Sequence, residues 1–237
     1  MANYGSEAED LTRLGGSLVI NMGTVTPDGL RNYLQALQAY NSNGGPVLLD
    51  PVGAGATDIR RNAVKNLLAG GYFDVIKGNE GELMTVLGET NVQQRGVDSG
   101  DSVSSQTEKA LLAKRLASRE RNVVLLTGKV DYLSDGERTY AISNGHEYLG
   151  KITGSGCTLG TTLASCLAIW REDKLLAALA GLLLFEIAAE HAALRDDVKG
   201  PGTFVPAFID ELYNISQQTN QGHNGWLAAA KLQRVHP

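Results

Sequence analysis

The chain has 237 residues, 43% of them hydrophobic, and a formal net charge of −5. That length suits one α/β domain or two small ones with a sizeable core. The acidic balance, without a basic patch, argues against a nucleic-acid or anionic-membrane partner. The two cysteines, Cys157 and Cys166, lie about 13 Å apart along one predicted helix and cannot bridge each other. Without a disulfide framework, and with an N-terminus unlike a signal peptide, the expectation is a soluble cytoplasmic protein. The run Leu175 to Ala189 is interrupted by Glu186 and reads as too short to span a bilayer. His146, His191, His223 and His236 show no metal-ligand spacing.

Along the chain, strands alternate with amphipathic helices. Leu18–Ile20 reads as a strand, and Pro27 to Tyr40 as a helix with Leu30, Leu34 and Leu37 on one stripe. Val47–Leu49 is the next strand, followed by a helix over Asp58 to Ala69 with Ile59, Ala63, Val64, Leu67 and Leu68 facing inward. Phe73–Ile76 is a third strand, Glu80 to Leu87 a helix, Gly96 to Ser105 an exposed polar loop, Gln106 to Arg119 a helix and Val123–Leu126 a fourth strand. This alternation predicts a parallel sheet covered on both faces. Asp135-Gly136 then joins two short strands as a hairpin, and three helices follow at roughly 157–171, 174–194 and 206–216. Residues 217–237 are rich in Gln, Asn and Gly and read as a poorly ordered polar tail beyond a domain of residues 1–216, with a short helix possible in its last part, Trp226 to Leu232.

Open α/β sheets bind ligands beyond the carboxyl ends of their strands. Here each of the first four strands ends in a polar residue and glycine: Asn21-Met22-Gly23-Thr24, Asp50-Pro51-Val52-Gly53-Ala54-Gly55, Lys77-Gly78-Asn79-Glu80-Gly81-Glu82, and Thr127-Gly128. Asp50 and Glu82 offer hard carboxylate oxygens of the kind Mg²⁺ takes alongside water and phosphate. The same residues fit structural roles, since Asn79 and Glu82 have capping-box spacing and Asp50 suits an Asx turn before Pro51. Lys77 suits either a nucleotide phosphate or a solvated position, and Thr127 either a phosphate oxygen or a backbone bond. Gly23 and Gly128 suit close ligand approach or plain turns.

The densest signal is Thr153-Gly154-Ser155-Gly156-Cys157, opening directly into the apolar run Thr158 to Trp170. A helix start carries unpaired N–H groups and partial positive charge, glycines let a phosphate approach it, and such a position favours thiolate. The same five residues also fit a tight turn before a buried helix, with Cys157 as a small core residue. There is no G-x-x-x-x-G-K-[ST] loop, and Gly154 to Gly160 reads G-x-G-x-x-x-G after a hairpin, which counts against a nicotinamide-dependent oxidoreductase.

Taken in order, these motifs, together with Leu126-Thr127-Gly128-x-x-Asp131-Tyr132 and Gly200-Pro201-Gly202-Thr203-Phe204, closely resemble the hydroxyethylthiazole kinases, ribokinase-like enzymes of thiamine biosynthesis and salvage, in a fungal variant. The resemblance runs from Met1 to about Tyr213. It implies a three-layer α/β/α fold with a mostly parallel central sheet, and transfer of the γ-phosphate of ATP to the primary hydroxyl of 4-methyl-5-(2-hydroxyethyl)thiazole with Mg²⁺. By motif, Cys157 matches the catalytic base, where ribokinase relatives usually carry aspartate. Lys77 and Thr127 match ATP contacts, with Asn79 and Gly156 beside them on the nucleotide side. Gly154, Gly23 and Met1 match the substrate side, and Asp50 and Glu82 the acidic residues near magnesium.

The resemblance further implies a homotrimer with active sites between subunits and, in fungi, fusion to a thiamine-phosphate synthase. Family members carry an additional strand and helix before the position of Met1, so the expected sheet lacks a strand there and activity of this chain alone is in question. Two alternatives stand beside the kinase. One is a non-catalytic or assembly fragment of that enzyme. The other is a different ribokinase-like enzyme such as an NAD(P)HX dehydratase, whose relatives carry Asp at the place of Cys157.

Overall fold

A computed structural model describes residues 4–89 and 104–237. Strands β1 (Leu18–Asn21), β2 (Val47–Asp50), β3 (Val75–Asn79) and β4 (Val123–Thr127) are mutually parallel, and β5 (Asp131–Ser134), β6 (Thr139–Ile142) and β7 (Leu232–Val235) continue the sheet antiparallel, in the spatial order β1 to β7. Among the described residues the sheet is a mixed one of seven strands, with the parallel strands expected followed by the expected hairpin.

Helices form where local chemistry starts them. In α2 (Pro27–Ser42) the Thr26 hydroxyl accepts the Gly29 amide at 2.9 Å ahead of Pro27, and in α5 (Gln106–Glu120) Ser105 and Glu108 form a reciprocal capping box. α3 (Asp58–Gly70) is capped by Thr57, and α7 (Lys174–Ala193) by Asp173. The short helix α1 (Ala8–Arg13) has no counterpart in the sequence reading, because six residues hold too few turns to show a period. Of the loop expected over Gly96 to Ser105, only Ser104 and Ser105 are among the described residues.

Topology decides which helix covers which face. Four parallel strands laid side by side in one direction, joined by right-handed crossovers, put every crossover on the same face. That face carries Ile20, Leu49, Ile76, Val124 and Leu126 against α2, α3, α4 (Glu80–Leu87) and α5, through Leu37, Val64, Leu67, Leu83 and Leu116. The opposite face, with Leu48, Val75, Val123, Leu125 and Leu133, is covered by later chain: α6 (Ser155–Ile169), α7 and α8 (Pro201–Asn220). Both faces of β2 are buried, which is why it reads as an unbroken apolar run. At 20 residues α7 is long and apolar enough to cross a membrane by length and composition, contrary to the sequence reading; it lies largely buried in the protein as a core helix.

The C-terminal segment differs from expectation. α8 continues to Asn220, past the anticipated boundary at 216; Gly225–Ala229 forms a 3₁₀ turn, and β7 pairs with β6 in place of a disordered tail. A few specific contacts outweigh the polar average. Trp226, Ala229 and Ala230 pack on the core, and the Trp226 indole donates to Thr219 Oγ1 at 2.9 Å. Buried Asn144 accepts the Lys231 amide at 2.6 Å and donates to the Ala229 carbonyl at 2.9 Å. Replacing it leaves two backbone groups without their partner. Asn144→Ala is expected to lower stability by about 1–3 kcal/mol in urea unfolding and to speed amide exchange in β7; unchanged protection of Leu232–Val235 would show that Asn144 does not hold the segment.

Candidate active site

The carboxyl ends of the parallel strands meet in register: Asn21 of β1 lies beside Asp50 of β2, and Asn79 of β3 beside Thr127 of β4. β3 runs three residues beyond the predicted end, so Lys77 is a strand residue paired with Leu125. Side chains alternate along a strand. Ile76 packs on the α2–α5 face, while Lys77 shares the face of Val75, under α6. There its Nζ lies 2.9 Å from Asp50 Oδ2, and both side chains are almost wholly buried. A Cβ placed on Gly156 would stand 3.5 Å from that Nζ, so the ammonium sits directly beneath the first turn of α6.

That first turn is open. Gly154 occupies the cap position with φ +96°, and no side chain caps the helix. The first intrahelical bond is from the Thr158 amide to the Gly154 carbonyl at 2.9 Å, leaving the amides before it without helical partners. Cys157, on this turn, is exposed, which sets aside the reading of it as a core residue. Asn21 is the hub: its Nδ2 donates to Asp50 Oδ2 at 2.8 Å and lies 3.5 Å from Cys157 Sγ, while its Oδ1 accepts the Gly23 amide at 2.8 Å.

Glu82 takes the structural role the spacing allowed. Its Oε2 accepts the Asn79 amide at 2.9 Å, its own amide donates to Asn79 Oδ1 at 3.0 Å, and its Oε1 accepts the Gly53 amide at 2.8 Å. Gly53 adopts φ +63°, a conformation that glycine enters without strain. A Cβ at Gly78 would press to 2.9 Å from Glu82 Oε2, so a side chain there would displace that carboxylate from the Asn79 amide. Burial pushes Asp50 above the ordinary carboxylate range against the pull of Lys77 and Asn21. Burial also raises Glu82, opposed by the Gly53 and Asn79 amides and by Lys77, with the Asp50 charge adding to the rise. Two hard-oxygen donors, with the Asp50 charge felt at Glu82, suit a divalent cation held in part through water.

The structure therefore brings Asp50, Lys77, Glu82, Asn79, Gly23, Gly154, Gly156 and Cys157 to one crevice, with Thr127 at its β4 side; Met1 lies outside the described residues. A cavity of about 320 Å³ at the other ends of the strands, bounded by Asn41, Tyr72, Arg171 and Lys174, is not part of it, and its Lys174 already pairs with Asp74 at 2.7 Å.

One side chain was missed. Arg60 of α3 donates through Nη1 to the carbonyls of Met22 and Val52, both at 2.6 Å, and through Nη2 to Gly23 at 2.9 Å. A single guanidinium thus ties the loop after β1 to the loop after β2. Ile59, expected to face inward, is 68% exposed; the inward stripe is Ala63, Val64 and Leu67, which turns Arg60 toward the loops. The sequence offers no sign of this beyond a basic pair at the start of a helix.

Comparison with known proteins matches residues 1–218 to the hydroxyethylthiazole kinase family. The chain belongs to that family. It is 38% identical over 218 residues to a hydroxyethylthiazole kinase of Pyrococcus furiosus, covering 92% of this chain and 79% of the relative. It is 41% identical over 251 residues to a "Probable thiamine biosynthetic bifunctional enzyme" of Schizosaccharomyces pombe, covering 99% of this chain and 47% of the relative; it thus spans about half of that longer protein. The solved hydroxyethylthiazole kinase of Pyrococcus horikoshii OT3 superposes with a TM-score of 0.85 at 35% identity, over 100% of this chain and 84% of its own.

Within this kinase fold, Arg60→Ala should release the two loops together. The expected outcome is a stability loss of about 1.5–3 kcal/mol with faster amide exchange at both Gly23 and Val52, and only partial recovery in Arg60→Lys, whose single ammonium lacks the guanidinium fork. An Ala variant with unchanged exchange at either loop would refute the clamp.

Proposed function

We propose that this chain transfers the γ-phosphate of ATP to the primary hydroxyl of 4-methyl-5-(2-hydroxyethyl)thiazole. The family match supports the reaction. The observation that carries the residue roles is the open first turn of α6, lying over the buried Lys77 ammonium with an exposed thiol on the same turn. Phosphoryl transfer asks a protein mainly for positioning and for charge placed where the moving group passes. The amides around Gly154 to Cys157 and the Lys77 ammonium converge on such a point.

In this reading Lys77, Thr127, Asn79 and Gly156 line the nucleotide side, and Gly154 and Gly23 the alcohol side, with Met1 contributing to the thiazole pocket. Cys157 orients the substrate hydroxyl and accepts its proton, while the Asn21 amide fixes the sulfur in place. A loose transition state needs little base strength, so the thiolate form of Cys157, which becomes the thiol on taking the proton, suffices. Asp50 and Glu82 would hold Mg²⁺, which supplies charge neutralisation on the nucleotide phosphates when bound. Asn21 links the two ends of this machinery, since one amide group touches both Asp50 and Cys157.

The same reading includes a homotrimer with sites between subunits, a cytoplasmic location and, as the bifunctional fission-yeast relative supports, a thiamine-phosphate synthase domain on the same polypeptide. With the thiazole alcohol and ATP, Cys157→Ala is expected to lower kcat by about 10²–10⁴-fold, while Cys157→Asp, which restores an acceptor, retains turnover. An Ala variant working at the parent rate removes the thiol from the chemistry.

A further inference from the structure

Two buried carboxyl groups beside this crevice have no part in the mechanism so far. Asp131, the first residue of β5, and Glu186, in the middle of α7, are 6% and 4% exposed. Their side chains act on one another at hydrogen-bonding range. Asp131 Oδ1 also accepts the Gly128 amide at 2.7 Å, closing the turn that joins β4 to β5 directly after Thr127. Glu186 Oε2 has no hydrogen-bond partner among the described residues. A hydrogen bond between two carboxyls requires a proton on one of them, and two buried carboxylates in contact do not both ionise.

The surroundings decide which residue keeps the proton. Asp131 receives the Gly128 amide and feels the Lys77 ammonium, both favouring its charge. Glu186 faces the charges of Asp131 and Glu190, with Lys231 opposing them weakly, and its second oxygen is unsolvated. An unpartnered oxygen costs far less on a neutral acid than on a carboxylate. Burial raises both groups, and together with the Asp131 charge pushes Glu186 up to about 11. Glu186 is therefore the donor and Asp131 the anion.

We propose that Asp131 and Glu186 are a positioning pair, one proton held between two carboxyls, that sets the Thr127–Gly128 turn for the nucleotide. Glu186 donates its O–H to Asp131; Asp131 in turn takes the Gly128 amide and lends its charge to Lys77. This rests on the assignment of Thr127 and Lys77 to ATP, and the tests are chosen to separate the two ideas.

The decisive pair of variants is Glu186→Leu, of similar volume without a donor, and Glu186→Gln, which keeps one. In the full chain, Gly128 amide exchange without ligand should accelerate at least about tenfold in the Leu variant and stay near the parent rate in the Gln variant. The KM for ATP should rise by a similar factor in Leu and recover in Gln, with kcat and the KM for the thiazole alcohol little changed. Exchange that changes while ATP affinity does not would keep the pair and overturn its link to the nucleotide. Unchanged exchange in Leu overturns the pair itself.

If the Leu variant does not fold, pH carries the test. The folded parent keeps a proton on Glu186 that the unfolded chain releases above its ordinary value of 4.5. That contribution is complete below 4.5 and is lost as pH rises toward about 11. Glu186→Gln carries no such proton, so its urea midpoint should rise relative to the parent between about pH 6 and about pH 9. A constant difference across that range would overturn the shared proton.

Discussion

The ion pair between Lys77 and Asp50 is the interaction on which the rest of the site depends. An ammonium buried under a helix N-terminus faces a field of its own sign, and without Asp50 at 2.9 Å its desolvation would not be tolerated. With the partner in place, the first-turn amides of α6 and the ammonium beneath them still offer positive charge to an anion. A Cβ at Gly156 would stand 3.5 Å from the nitrogen, which puts the ammonium in contact range of the helix start. Asn21 completes the arrangement by holding Asp50 and reaching Cys157 with the same amide group.

Connectivity explains why the site is assembled from such distant parts of the chain. The parallel strands commit α2 to α5 to one face, so the helix that delivers the thiol arrives only after the β5–β6 hairpin has reversed the chain. Asn21 and Cys157 are 136 positions apart in sequence and meet because β1 and β2 lie under α6. Arg60 serves the same end from the other face. It fastens the loops after β1 and β2 to one another, so that Gly23 and Gly53 hold the backbone paths that Asn21 and Glu82 use.

Much of this was legible in the sequence, for definable reasons. The strands β1 to β4 read correctly to within a few residues because buried parallel strands are unbroken apolar runs. The glycines at the strand ends marked the crevice, and at Gly53 a positive φ favours that residue. The overrun of β3 through Lys77 was not legible: a lysine and a glycine break the apolar pattern, and only the neighbouring Asp50 makes that lysine a strand residue. The spacing of Asn79 and Glu82 supported both a cap and a metal role, and a local pattern has no means of choosing between them. Arg60 and β7 were invisible because their partners are backbone carbonyls and a buried asparagine far away in sequence, which composition averages away.

The two acidic residues of α7 show how position sets the state of chemically identical groups. Glu186 and Glu190 are one helical turn apart and project from the same side. Glu190 sits nearer the surface and accepts from Lys231 Nζ at 2.9 Å and from the Gly145 amide at 3.0 Å, so its charge is matched and it ties the C-terminal segment to the helix. Glu186, one turn earlier, feels Lys231 only weakly and faces another carboxyl, so it is held neutral. The result is a single buried helix that fastens the last strand of the sheet at one turn and the turn after β4 at the other. A hydropathy profile records both glutamates only as interruptions; their separate roles come from what the sheet presents to each.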